Sequence, residues 1–126
     1  MITLPLALRL DAVASGALGV LAAAAAGPLA DPLGLPVAFL LPIGIFLIGY
    51  AAALLVIAGG LPATRSWVPV VIAGNLLWVL ASVLLVLAGP FELTTLGTVV
   101  IVAQAVAVAV FAELQFSGLR RRTVSV

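Results

Sequence analysis

The run from Ser66 to Gly89, SWVPVVIAGNLLWVLASVLLVLAG, contains no charged residue. Wound as a helix at about 1.5 Å per residue it is roughly 36 Å long, enough to cross a hydrocarbon core of ~30 Å. The rest of the chain offers no polar shell to hide such a segment. Of the 126 residues, 66% are hydrophobic and 7% charged, against about 45–50% and 25% in soluble domains. Mean hydropathy is +1.47. These values describe an integral membrane protein, with three further spans gathered around the uncharged run.

The expected architecture is all-α, a four-helix antiparallel transmembrane bundle forming one domain over 1–126, because only helices and closed barrels satisfy their backbone in lipid. The spans fall at about 4–26, 37–60, 66–89 and 94–118. Pro5 lies where a first helical turn tolerates it. The first segment also fits a secretory signal peptide, with one arginine, an apolar stretch and small residues suited to cleavage around Ala24–Ala26; the span reading is preferred. GPLADPLGLP (Gly27–Pro36) reads as a loop, dense in proline and glycine. Pro42 predicts a mild kink in the second span.

Charge orients the spans. Arg9, Arg65, Arg120, Arg121 and Arg122 all fall on one side of a four-span topology, and Asp31 and Glu92 are the only charges in the other two loops. The positive-inside rule then puts both termini in the cytoplasm and the protein in the inner membrane.

Composition also removes chemistry. Cysteine, histidine and lysine are absent, which excludes thiol catalysis, Cys or His metal sites, His-ligated haem and Schiff-base chemistry. A net charge of +1 gives no basic surface for nucleic acid. No cofactor and no metal are expected.

Spans in lipid associate through close contact between small residues and through a few hydrogen bonds. Ser15, Gly19 and Ala23 form such a ridge on the first span, Gly49 and Ala53 on the second, and Ala105 and Ala109, leading to Glu113, on the fourth. Asn75 lies about 12 Å into the third span and Gln104 about 15 Å into the fourth from the opposite side. An unpaired amide in an apolar medium costs several kcal/mol, so the two are expected to face each other or a shared polar partner, as interhelical glue or as a ligand-binding pair. Trp78, on the Asn75 face near mid-membrane, fills the core or lines a cavity, whereas Trp67 is an interfacial anchor. Tyr50 needs a partner for its hydroxyl. Glu113 falls at the cytoplasmic edge and is expected to pair with Arg9 or Arg65 on a neighbouring helix, since intramembrane acids usually find a cation. Its rival role is a proton- or cation-carrying carboxylate.

GNLLWVLAS (Gly74–Ser82), TTLG (Thr94–Gly97) and VAQAVAVAVFAELQFSGLRR (Val102–Arg121) together resemble a pattern found in small four-span bacterial membrane proteins of no assigned function. The resemblance covers about half the chain. It implies four helices and a bacterial origin, and brings no catalytic residues with it. Small multidrug transporters fit poorly, since they carry an essential glutamate in the first span where this chain has only Asp11 near the start. Fluoride channels fit poorly too, their polar and aromatic pattern being absent.

The functional expectation is a non-enzymatic membrane protein. It would be an accessory subunit of a larger complex, or a self-associating or lipid-binding bundle, with lipid, other subunits or copies of itself as partners. The alternative is a small oligomeric transporter or channel using Asn75, Gln104 or Glu113, its pathway lying between copies because one protomer has little interior room. An enzyme is the weakest reading, with Asp11 and Glu113 as its one conceivable carboxylate pair.

Overall fold

The computed structural model describes residues 3–60 and 66–124, the last four as backbone alone. Among them are five helices and no strand: α1 (Leu4–Ala24), α2 (Ala26–Leu33), α3 (Val37–Ala58), α4 (Val68–Ala88) and α5 (Thr95–Val124). α1, α3, α4 and α5 as far as Arg120 are each long and apolar enough to cross a membrane. The protein is an all-α bundle of four such helices and a multi-pass membrane protein. Large apolar side chains such as Val13, Leu77 and Leu87 point outward, as they must where the surrounding solvent is lipid.

Local chemistry explains the element ends. The Thr3 side chain accepts a hydrogen bond from the Leu6 amide (3.3 Å) and caps α1. α4 stops at Gly89, whose φ of 65° is open to glycine at little cost. The Gly27–Pro36 segment, expected to be a loop, is mostly the short helix α2. Pro28 falls in its first turn, where a missing N–H removes no intrahelical bond, so it starts a helix instead of preventing one, and Pro32 lies in the last turn. Gly34, at φ 72°, ends α2 and lies against the backbone of Glu92, Leu93 and Thr94. Thr94 returns two hydrogen bonds, from its amide to the Leu33 carbonyl (3.3 Å) and from its hydroxyl to the Pro32 carbonyl (2.5 Å). The two links at this end of the bundle are thereby tied together.

α1 and α3 make the most extensive contact, followed by α4 with α5, and α1 with α5 joins the two pairs. The α1–α3 approach is set by Gly19 and Gly44. A methyl group on Gly44 would lie 2.5 Å from the Ala23 nitrogen and 2.7 Å from the Gly19 carbonyl oxygen. Of the expected ridge of Ser15, Gly19 and Ala23 on the first span, Gly19 and Ala23 meet Gly44 directly, and Ser15 is buried one turn before Gly19. The expected ridge at Gly49 and Ala53 is exposed; the contact face of α3 follows Leu40, Gly44, Leu47, Ala51 and Leu54, and Gly49 lies two residues, or about 200°, off it. α3 and α4 are neighbours whose backbones barely meet.

Along the bundle axis the interior is layered. Leu4, Leu8, Leu54, Ala58, Val68 and Val71 pack at the end holding the start of α1. Ala26, Leu33, Leu35, Leu40 and Ile101 pack at the opposite end. Polar side chains lie between. In a detergent unfolding assay Gly44→Ala should destabilise the bundle by ~1–3 kcal/mol through overpacking. Gly49→Ala, where an added methyl meets nothing within 4 Å, should change stability by less than ~0.5 kcal/mol.

Candidate functional site

The middle layer is built around Asp11. It stands about 10 Å along α1, and Asn75 stands about 10 Å along α4 from the same end. Tyr50 on α3 and Gln115 on α5 reach that level from the other direction. Asp11 is 1% exposed and Gln115 0%. The Asp11 carboxylate accepts hydrogen bonds at Oδ2 from Gln115 Nε2 (2.8 Å), Asn75 Nδ2 (3.0 Å) and, longer, the Tyr50 hydroxyl (3.4 Å). Oδ1 accepts from the Ser15 hydroxyl one turn on (3.0 Å). Asn75 also donates to Gln115 Oε1 (3.0 Å) and accepts from the Tyr50 hydroxyl at Oδ1 (2.7 Å). All four spans therefore meet at one carboxylate.

Its neighbours are all neutral donors. Arg9, two residues away, is exposed, and Arg120 lies over the Phe116 ring, 5.7 Å from its centre. Among the described residues no cation reaches Asp11. An aspartate in mid-helix raises the cost of membrane insertion by about 2.5–3.5 kcal/mol, and donors from every other span are what make its burial tolerable.

A second polar group lies deeper along α4 and α5. Trp78 Nε1 donates to Gln104 Oε1 (2.7 Å), and Gln104 Nε2 donates to the Ser82 hydroxyl (2.9 Å) and to its own helix at the Ile101 carbonyl (2.8 Å). The Ser82 hydroxyl donates to the Trp78 carbonyl (2.8 Å). Asn75 and Gln104, expected to face each other or a shared polar partner, belong to different groups with no partner in common. Rotation matched but depth did not: Trp78 and Ser82 lie on the Asn75 face of α4 one and two turns further along, and they engage Gln104, while Asn75 meets Gln115 eleven residues beyond Gln104 on α5.

A cavity of about 270 Å³ separates the two groups, lined by Ser15, Tyr50, Asn75, Trp78 and Gln104 among apolar residues from all four spans. A second, of about 450 Å³, continues from it. It shares Leu18, Leu47, Trp78 and Gln104 with the first. Phe46 stacks near-parallel with both Tyr50 (centroids 6.2 Å) and Trp78 (6.1 Å). It lines the first cavity while remaining 57% exposed, so the cavity opens at its ring, between α3 and α4.

The other expectations fare differently. Glu113 is exposed and has no ion pair or hydrogen bond among the described residues. Its α5 neighbour Gln115, two residues on, is the one turned inward. Arg9 is exposed and does not serve Glu113, and Arg65 lies outside the described residues. Asp11 and Glu113 form no pair. Trp67 is exposed, as an interfacial anchor would be. Tyr50 has its partner. Sequence reading named Asp11 only in a conceivable carboxylate pair with Glu113, and passed over Ser15 and Gln115 as members of a site. The available signal was four polar side chains, one per span, at a common depth. No three His, Cys, Asp or Glu side chains come together among the described residues.

Comparison with known proteins gives no match, whether to a family model, a curated protein or a solved structure. The geometry predicts the couplings. Asn75→Leu and Gln115→Leu, which share Asp11, should be non-additive by ~0.5–3 kcal/mol in unfolding, while Asn75→Leu and Gln104→Leu should add within ~0.5 kcal/mol. Coupling of the second pair and not the first would contradict the two-group arrangement.

Proposed function

We propose that this protein is a small non-enzymatic transporter of the bacterial inner membrane, binding a positively charged solute inside its bundle with Asp11 as the anionic centre. The observation that carries this reading is a buried carboxylate with no cation beside it among the described residues, next to a cavity whose wall includes three of its own hydrogen-bond donors, Ser15, Tyr50 and Asn75. Intramembrane acids of this kind mark ion and substrate pathways. If glue between helices were the whole purpose, an amide would serve at less cost. The arginine distribution supports cytoplasmic termini, with Asp31 and Glu92 outside.

The protein reconstituted in liposomes should give charge movement on a solid-supported membrane after a jump in proton or monovalent-cation concentration. Asp11→Asn should reduce it by more than about tenfold, while Glu113→Gln leaves it unchanged. A folded wild type that is silent to these jumps and to a jump in an alkylammonium cation would overturn the transporter reading. In intact cells, cysteine at position 31 or 92 should react with an impermeant thiol reagent and cysteine at 121 should not; the reverse pattern would invert the topology.

A second reading has its own support. Every buried side-chain nitrogen and oxygen among the described residues has a hydrogen-bond partner, so the network also suits a bundle that only needs to hold together as an accessory subunit or self-associating element. Isolation from native membranes in a fixed complex with other subunits, together with silence in liposomes, would favour that reading.

A further inference from the structure

We infer that the ligand is a single-tailed cationic amphiphile, its head beside the Asp11 group and its tail in the adjoining apolar cavity. This rests on the transporter reading and names the ligand class.

Charge selects the head. The interior holds the Asp11 carboxylate, and the groups bonded to it, Ser15, Tyr50, Asn75 and Gln115, are uncharged. Ser15, Tyr50 and Asn75 also line the first cavity, so a head placed there is one side chain from the carboxylate. The same cavity is lined by the aromatic rings of Phe46, Tyr50 and Trp78. Rings of this kind attract a desolvated cation and give nothing comparable to an anion.

The second cavity selects the tail. Its volume is about 450 Å³, and beyond Trp78, Ser82 and Gln104 its lining is leucine, isoleucine, valine, alanine and phenylalanine. An inorganic ion or a small hydrophilic amine would make no use of this apolar lining, which offers water too few partners. An alkyl chain suits it. The two cavities share Leu18, Leu47, Trp78 and Gln104, so head and tail can occupy them as one molecule. Such a molecule dissolves in the bilayer and meets the mouth at Phe46 from the side, between α3 and α4.

The test uses the full chain carrying Trp67→Phe, so that Trp78 is the sole tryptophan, in nanodiscs of phosphatidylcholine. Three probes separate the contributions: decyltrimethylammonium, decyl sulfate and tetramethylammonium. Decyltrimethylammonium should change Trp78 fluorescence saturably, at a concentration at least about tenfold lower than either other probe requires. Asp11→Asn should raise that concentration about tenfold, and Phe46→Leu severalfold, with helicity retained by circular dichroism. Equal responses to the decyl cation and the decyl anion would mean bilayer partitioning and would overturn the proposal. So would an equal response to tetramethylammonium, or saturation indifferent to both substitutions. Should Asp11→Asn not fold, the probe comparison and Phe46→Leu still decide. Asp11-dependent charge movement without amphiphile binding would remove the ligand assignment alone, whereas loss of both would remove the transporter reading as well.

Discussion

A carboxylate surrounded by lipid-soluble helices has to find donors, and the arrangement of this bundle follows from how Asp11 finds them. Tyr50, Asn75 and Gln115 each come from a different span and Ser15 from its own. Each of those contacts fixes the rotation and depth of the helix that supplies it. Apolar packing alone would not. These spans are hydrophobic nearly all round, and a helix of that kind has no strongly preferred face. Between lipid and a neighbouring helix, leucine gains little from either choice. A displaced polar group loses several kcal/mol, so the few polar residues set the register of the many apolar ones.

Packing then decides where space is left. Gly19 and Gly44 let α1 and α3 approach closely, and the latch between α2 and the link before α5 closes one end of the bundle. On the α3–α4 side the residues are large: Phe46, Tyr50 and Trp78 stand where the backbones would otherwise come together. Small residues on one seam and aromatic rings on the other make an asymmetric bundle, and the cavities lie beside the aromatic seam. The site is therefore a consequence of the same sequence differences that order the helices.

Much of this was legible before any coordinates. Length and hydropathy placed all four spans, and the uncharged run from Ser66 is α4 within two residues at its start. The Gly27–Pro36 segment misled because proline was read as a breaker without regard to its place in the first turn. The polar pairing misled for a deeper reason. Depth counted from each span's own end left the register of α4 against α5 unset, and Gln104 came level with Trp78 and Ser82, one and two turns beyond Asn75. Rotation could not be counted at all, because these helices have almost no amphipathic pattern. Glu113 and Gln115 show the consequence. They differ by two residues, both are polar, and only the second is buried. Glu113 drew notice because it is charged, whereas burial was decided by which side chain faced Asp11.

The same network also indicates where the bundle can yield. α1 is joined to α3 by glycine contacts and to α5 through Gln115, and α4 is joined to α5 through Trp78, Ser82 and Gln104. Between α3 and α4, the described polar and aromatic links are the Tyr50–Asn75 hydrogen bond and the Phe46–Trp78 stack, supplemented by apolar contact at one end of the bundle. Tyr50 has one proton and two acceptors, Asn75 at 2.7 Å and Asp11 at 3.4 Å. Rotating that proton from Asn75 to Asp11 releases the α3–α4 link while strengthening α3 to α1, so no buried donor is stranded by the exchange. The seam beside the cavity is thus the one that can part with the least loss of hydrogen bonding. A solute drawn to the Asp11 carboxylate would act on the hydroxyl that holds this seam shut.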